Sequence, residues 1–155
     1  MNIATFAAGC FWGVEARFRQ VPGVISTRVG YTGGHTSEPS YKQVCTGQTG
    51  HAEAIEIEFD PKVISYAQLL DIFWQMHNPT TPNRQGPDIG TQYRSAVFYH
   101  DEKQKQQAEQ CKTTLNQQGK FPAPIVTEIT AASTFYPAEE YHQCYLEKRG
   151  QGSCH

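Results

Sequence analysis

The cysteine at position 10 has the surroundings of a reactive thiol. It follows a short apolar segment, residues 2–8, that predicts a β-strand, and a helical pattern runs from Phe11 to about Gln20. At such a junction the N–H groups of the first helical turn are unpaired, and the helix dipole favours the thiolate. The flanking glycines allow a substrate to approach the backbone closely. A buried, inert cysteine is the alternative, and the local pattern leaves both interpretations open.

Two further features could take part in chemistry at Cys10: an aromatic pair that follows it and an acidic residue on a predicted strand. Phe11 and Trp12 suggest an apolar wall for a small hydrophobic group. Glu53 heads the apolar face of a predicted strand over residues 52–59, in phase with Ile55, Ile57 and Phe59. A carboxyl group on a buried face is either paired or has a raised pKa, and a raised pKa makes it a proton donor near neutral pH. The alternative is that this first residue of the strand is solvated.

Two long polar segments, residues 32–51 and 78–93, carry further candidates. Loops of this length in a compact domain are usually functional or disordered. The first contains Tyr41, and the second contains Asp88 and Tyr93. A phenol can donate a hydrogen bond to an oxygen that bears partial negative charge. These residues matter only if the fold brings them close to Cys10.

The remaining cysteines divide into two groups. The chain has five cysteines: Cys10, Cys45, Cys111, Cys144 and Cys154. An odd number without a secretion signal favours reduced thiols over a fixed disulfide framework. We predict structural roles for Cys45 and Cys111. Residues 149–155 are predicted to be a flexible tail, and a mobile Cys154 is suited to attack a sulfenic acid on another cysteine. A zinc site using His142, Cys144, Cys154 and His155 is disfavoured by the spacing.

The pattern of elements predicts an α+β protein. Strands are expected at 2–8, 24–31, 52–59, 95–99 and 125–131, and helices at 11–20, 66–77, 101–118 and 137–148. The 155 residues are the length of one domain, and the formal charge of −2 gives no reason to expect nucleic acid or an acidic membrane as a partner. We expect a cytoplasmic chain without a signal peptide or membrane span.

A series of motifs along the chain resembles the A-type peptide methionine sulfoxide reductases. The resemblance begins at residues 9–13, Gly-Cys-Phe-Trp-Gly, and covers nearly the whole chain. It continues through Gly-Tyr-Thr-Gly-Gly at 30–34, Pro-Ser-Tyr at 39–41 and Thr-Gly-His-Ala-Glu at 49–53, then through 83–95 and 138–143. It implies a two-layer α/β sandwich with a central mixed sheet, helices packed around it and long irregular loops.

The resemblance also implies residue roles. Cys10 is then the nucleophile that attacks the sulfur of a methionine S-sulfoxide, free or in proteins, while Phe11 and Trp12 cradle its methyl group. Glu53, Tyr41 and Tyr93 surround the sulfoxide oxygen, with Glu53 as the proton donor. The other two positions, Asp88 and His142, line the site and help to hold the substrate or its hydrogen-bond network.

Recycling follows from the same resemblance. Cys10 is left as a sulfenic acid, Cys154 attacks it to form a disulfide, and thioredoxin reduces that disulfide. No metal or flavin is implied, and we expect a monomer that repairs oxidative damage. Cys144, on the presumed last helix, is an alternative resolving thiol, and Cys154 is favoured over it.

Two other classes of function remain for comparison. A cysteine hydrolase needs a histidine base beside the thiol, and His51 or His142 could be nominated, although nothing in the sequence ties either to Cys10. A binding module with an aromatic pocket would not need the Cys10 thiol. Its activity would survive replacement of Cys10 by serine.

Overall fold

Residues 2–145 are described by the computed structural model, which has helices on one face of a mixed sheet. The elements in chain order are β1 (Asn2–Ala8), α1 (Phe11–Arg19), β2 (Val24–Thr32), α2 (Tyr41–Cys45), β3 (Ala52–Phe59), α3 (Tyr66–Gln75), β4 (Arg84–Gln85), β5 (Asp88–Ile89), a 3-10 turn (Thr91–Tyr93), β6 (Ser95–Tyr99), α4 (Glu102–Gln117), β7 (Glu128–Ala131), β8 (Tyr136–Pro137) and a second 3-10 turn (Glu140–His142). The predicted tail, with Cys154, lies outside the described residues.

The central sheet has six strands in the order β7-β6-β1-β3-β2-β8. Its neighbours are antiparallel except for β6 and β7, which are parallel, so the sheet is mixed. β4 and β5 form a separate two-stranded hairpin. The predicted fold class, α+β with a central mixed sheet and helices packed on it, is confirmed.

Alternation along β3 separates the two faces of the sheet. Ile55, Ile57 and Phe59 enter the main core, which the sheet forms with the helices. Ala52 and Ala54 face the other side, where they belong to a second, smaller apolar cluster. Glu53 has the parity of the first set, so its carboxyl group lies on the helix-covered face.

N-terminal capping residues explain where the two longest helices, α3 and α4, begin. Ser65 accepts a hydrogen bond from the backbone N–H of Gln68 and forms a capping box with it, at the start of α3. Asp101 accepts from the N–H of Gln104 at the start of α4. Both helices begin where the sequence predicts them.

The predicted final helix at 137–148 is wrong over residues 137–144. Ala138 donates from its backbone N–H to the Val29 carbonyl at 2.9 Å, and the Gln143 side chain both accepts from Val29 N and donates to Val29 O. This segment therefore bonds to the free edge of β2. It forms β8 and a 3-10 turn instead of a helix. Non-local pairing here outweighs helix propensity.

The strand predicted at 125–131 is shorter than expected. It begins at Glu128, because Val126 donates its N–H to the Pro79 carbonyl at 2.8 Å and not to a strand. The long polar segments likewise contain short elements, α2 in the first and the β4–β5 hairpin in the second. Within residues 2–145, no helix combines the length and apolar character that a membrane crossing requires.

Candidate active site

Cys10 stands at the turn between β1 and α1, as predicted. It is the N-cap residue of α1, and its thiol-bearing side chain is partly exposed. Gly9 has φ of +97°, and a Cβ atom there would lie 2.8 Å from the Gln85 side chain, so this position requires glycine. The turn thus places the thiol at the N-terminal end of a nine-residue helix.

Glu53 reaches this helix end from the adjacent strand. β1 and β3 pair Phe6 with Ile55, and two residues further along the same register Glu53 lies level with Ala8. Its side chain is 1% exposed, so the prediction of a buried acid agrees with the structure. One carboxyl oxygen, Oε1, accepts a hydrogen bond at 3.3 Å from the backbone N–H of Phe11, the residue after Cys10.

Burial decides the protonation of Glu53. Desolvation raises its pKa to about 7, although hydrogen bonds from Gln92 and from Phe11 N act in the opposite direction, and the negative charge of Asp88 adds to the increase. The Gln92 amide donates to Oε2 at 3.2 Å. Near neutral pH the group therefore exists as acid and as carboxylate in comparable amounts, which is the state that suits a general acid.

Both loop tyrosines lie within electrostatic reach of Glu53. Burial raises the pKa of Tyr93 to about 12, and the charges of Glu53, Asp88, Cys45 and Cys10 contribute in that order. The pKa of Tyr41 is also raised well above its usual value, first by burial and then by Glu53. The phenols therefore stay protonated and can donate hydrogen bonds.

An aromatic cluster lies beside Cys10. Phe11 is buried, and its ring centre lies 6.3 Å from that of Tyr41 and 5.3 Å from that of His142. Trp12 is partly exposed and donates its indole N–H to His142 Nδ1 at 2.9 Å. The predicted residues of the site, apart from Cys154, are thus brought together by the fold around one helix end.

The bond from Trp12 defines the state of His142. Because an indole nitrogen only donates, His142 Nδ1 must carry the lone pair, and the ring hydrogen belongs on Nε2. The residue is 1% exposed, and burial lowers its pKa against the opposing charge of Glu139. His142 is therefore a neutral support for Trp12 and is not available as a base through Nδ1.

Several residues of the site have no role in the sequence-based prediction. Gln92 is buried and donates both to Glu53 and to the Cys45 sulfur, the latter at 3.3 Å. Glu139 accepts from the Tyr31 hydroxyl at 2.9 Å and from the backbone N–H of Tyr41 at 3.1 Å. Gln92 and Glu139 lie within the motifs at 83–95 and 138–143, but no periodicity marks a loop residue as buried.

The two cysteines predicted to be structural differ in the structure. Cys111 is partly buried and packs against the main core, as expected. Cys45 is exposed and lies at the edge of the site, where Gln92 and Tyr41 contact its thiol. Cys45 is therefore not packed in the core as Cys111 is, because α2 turns this residue toward the loop that carries Gln92.

The described residues that a cysteine hydrolase or a zinc site would use are hydrogen-bonded to other groups. His51 Nδ1 accepts from Gly34 N at 3.0 Å, and its Nε2 bonds the Thr36 carbonyl at 2.7 Å. Both ring nitrogens of His51 thus hold the loop. Of the four zinc candidates, His142 is bonded to Trp12 and Cys144 to Glu15, while the other two lie beyond residue 145.

The fold and the site together define a class of enzyme: a thiol enzyme that places a cysteine at a helix N-terminus beside a buried carboxylic acid. The family follows from comparison with known proteins. Residues 2–155 match the model of the peptide methionine sulfoxide reductase family, and the chain belongs to that family.

Relatives and solved structures agree with this membership. The chain is 63% identical over 147 residues to peptide methionine sulfoxide reductase MsrA of Methanosarcina acetivorans, a match that covers 95% of this chain and 78% of the relative. It is 59% identical to the MsrA of Methanothermobacter thermautotrophicus, covering 98% and 90%. Among solved structures, reduced Mxr1 of Saccharomyces cerevisiae superposes with a TM-score of 0.91 at 41% identity, covering 99% of this chain and 88% of the other.

Proposed function

We propose that this chain reduces methionine S-sulfoxide, in proteins or as the free amino acid, to methionine by thiol chemistry at Cys10. The chain acts as a peptide-methionine (S)-S-oxide reductase, as its family membership and high-identity relatives indicate. The observation that carries the site assignment is Glu53, a buried acid with a pKa of about 7 that is hydrogen-bonded to the residue after Cys10.

In the first step, the Cys10 thiolate attacks the sulfoxide sulfur. The oxygen is transferred to the cysteine sulfur with uptake of a proton from Glu53, methionine leaves, and Cys10 becomes a sulfenic acid. The sulfoxide is reduced by two electrons, and the thiol is oxidised by two. Tyr41 and Tyr93 donate hydrogen bonds to the oxygen as negative charge develops on it.

The substrate is held by the apolar and polar sides of the site. Phe11 and Trp12 provide the surface for the methyl group, and His142 fixes the Trp12 ring. Asp88 lies close enough to Glu53 to raise its pKa, so it supports the protonated acid. This division matches a sulfoxide, which has an apolar methyl group on one side of its sulfur and a polar oxygen on another.

In the second step, Cys154 attacks the sulfenic acid, a disulfide forms and water leaves. Thioredoxin then reduces the disulfide by two electrons. Mxr1 of Saccharomyces cerevisiae has been solved in complex with the thioredoxin Trx2, which supports this choice of reductant. No bound cofactor takes part in this scheme.

A stoichiometric reaction tests the proposed function. Fully reduced protein without added reductant is mixed with excess methionine S-sulfoxide, and the methionine formed is counted per chain. We expect one methionine per chain, a Cys10–Cys154 disulfide by mass spectrometry, and no product from the R epimer. An unchanged thiol content after exposure to the S epimer would refute the function.

Replacement of Cys154 by serine separates the two steps. We expect Cys154→Ser to form one methionine per chain at the wild-type rate, because sulfenic acid formation does not use Cys154. Thioredoxin-driven turnover should fall by about tenfold or more, since an intramolecular thiol at high effective concentration is lost. Cycling at the wild-type rate in this variant would remove Cys154 from the resolving role.

The contact between Trp12 and His142 gives a further prediction. His142→Phe removes the acceptor of the indole N–H, and we expect the KM for methionine S-sulfoxide to rise about tenfold, the loss of roughly one hydrogen bond. His142→Gln is the matched control, because its amide oxygen can accept from Trp12. Steady-state kinetics check this, and a fall in kcat at unchanged KM would contradict it.

We also propose the domain organisation, location and oligomeric state of the chain. Residues 1–155 form a single domain with 149–155 as its tail, and the protein is a cytoplasmic monomer that repairs oxidative damage. The continuous six-stranded sheet supports a single domain. Analytical ultracentrifugation of the reduced and oxidised protein would measure the oligomeric state.

A further inference from the structure

Glu15 is a buried acidic residue outside the proposed catalytic set. It lies on α1, five residues after Cys10, and is 1% exposed. Its Oε2 accepts from the Thr27 hydroxyl at 2.7 Å, and its Oε1 accepts from the backbone N–H of Cys144 at 2.6 Å. Both partners donate hydrogen bonds, and the two carboxyl oxygens of Glu15 accept them.

The same carboxylate also contacts the Cys144 side chain. The Cys144 thiol donates to Glu15 Oε2 with a sulfur–oxygen distance of 4.0 Å. Cys144 has φ of +53°, a left-handed conformation that is unfavourable for a residue with a side chain. The short bond from its N–H to Glu15 opposes this strain and holds the residue in one position.

The neighbours of Cys144 are fastened to the same part of the fold. The Gln143 side chain bonds both backbone groups of Val29, and the Tyr145 ring stacks on Trp12 with ring centres 3.9 Å apart. Cys144 is thus held close to the helix that carries Cys10, but it is held rigidly. A disulfide requires the two Cβ atoms to come within about 4.5 Å, and the bonds to Glu15 and Val29 oppose any backbone movement that an attack of Cys144 on Cys10 would require.

The contact with Glu15 also opposes the chemistry of attack. The thiolate is the nucleophile, whereas the Cys144 thiol uses its proton in the contact with Glu15 Oε2. Proximity would otherwise make Cys144 a competitor for the sulfenic acid. Attack of Cys144 on the Cys10 sulfenic acid would form a Cys10–Cys144 disulfide and release water, as the attack by Cys154 does.

We propose that Glu15 is a positioning residue that reserves the resolving step for Cys154, because it holds Cys144 through both its backbone N–H and its thiol. This inference rests on the proposed function. It assigns a role to the buried charge of α1 that the reaction with the sulfoxide itself does not use. It also decides between the two thiols that the sequence leaves as candidates.

The test uses the Cys154→Ser protein, in which Cys144 has no competitor. After one equivalent of methionine S-sulfoxide, we expect dimedone to trap a sulfenic acid on Cys10, with little Cys10–Cys144 disulfide by mass spectrometry. In Glu15→Gln/Cys154→Ser, which keeps the shape and removes the charge, that disulfide should form at least about fivefold faster. The identity of a disulfide is a readout that a loss of stability alone does not change.

Thr27→Val/Cys154→Ser is the matched control. It removes one hydrogen bond to Glu15 and keeps the carboxylate beside Cys144, so it should behave as Cys154→Ser does. Rapid formation of the Cys10–Cys144 disulfide in Cys154→Ser itself would overturn the proposal, and so would an unchanged rate in the Glu15→Gln double variant. Failure of all these proteins to release methionine would instead refute the proposed function.

Two measurements do not depend on the folding of Glu15→Gln. In folded, reduced Cys154→Ser, iodoacetamide should label Cys144 at least about tenfold more slowly than the exposed Cys45, and equal rates would contradict the hold on Cys144. Cys144→Ser alone should retain thioredoxin-driven turnover within about twofold. A large loss of cycling in that variant would make Cys144 a required thiol and end the proposal.

Discussion

Cys10→Ser is expected to abolish the reduction of methionine sulfoxide, in single turnover as well as with thioredoxin. A serine hydroxyl at neutral pH is a far weaker nucleophile than a thiolate at a helix N-terminus, and Glu53 is placed to donate a proton and not to activate a hydroxyl. We expect a fall of at least about four orders of magnitude, to the uncatalysed rate. The methionine released per chain, measured by mass spectrometry, checks this result.

Cys111→Ala is the matched control for Cys10→Ser. Cys111 packs against the core on α4, so its loss should affect stability more than activity. A Cys10→Ser protein that retains its biological activity would favour the binding module with an aromatic pocket. An activated ester that gave a burst of acyl-enzyme on Cys10, with no disulfide cycle, would favour a cysteine hydrolase.

Glu53→Gln is expected to have the second largest effect. Glutamine can fill the space and keep hydrogen bonds, but it cannot deliver a proton to the sulfoxide oxygen. We expect the single-turnover rate to fall by about 10²- to 10⁴-fold. A rate near that of the wild type would remove Glu53 from the mechanism.

The pH dependence follows from the pKa of about 7. The wild-type rate of sulfoxide reduction should decrease as the pH rises through about 7, because the fraction of Glu53 that carries its proton decreases. The Glu53→Gln protein should lack this decrease. Stopped-flow measurements of single turnover between pH 5.5 and 9 (a range of roughly two units on either side of the pKa) would show the difference.

The same pKa predicts an effect on stability. Because folding raises the pKa of Glu53, the folded state binds the proton more tightly, and this contribution is fully present below the unfolded pKa and lost as the pH rises through about 7. Above that pH, Glu53→Gln should be more stable than the wild type by on the order of 3 kcal/mol, and the difference should shrink in acid. Urea unfolding at pH 5 and pH 8 measures it. Glu58→Gln, on the other face of the same strand, is the matched control for removal of a carboxyl group.

The sequence predicts those parts of the fold that depend on near neighbours. The alternation at 52–59 and the caps at Ser65 and Asp101 are local signals, and the corresponding elements form where expected. The helix predicted over residues 137–144 does not form because this segment bonds the backbone of Val29, more than a hundred residues away, and no local pattern encodes that pairing.

The site shows the same division. Residue types and position alone marked Cys10 as a thiol at a helix end, and the phase of Glu53 in its strand marked it as a buried acid. The sequence did not predict the exposure of Cys45 or the hydrogen bonds of Gln92, because both depend on how two loops without periodicity fold against each other.

The sequence by itself therefore predicted the nucleophile and the acid and identified the family, since these are read from local pattern and ordered motifs. Only the tertiary structure decided that Tyr41, Tyr93 and Asp88 meet at Glu53, and that Glu15 holds Cys144. The physical reason is that sheet register and loop packing set these contacts across long stretches of chain. Burial at the meeting point then raises the pKa of the acid beside Cys10 to about 7.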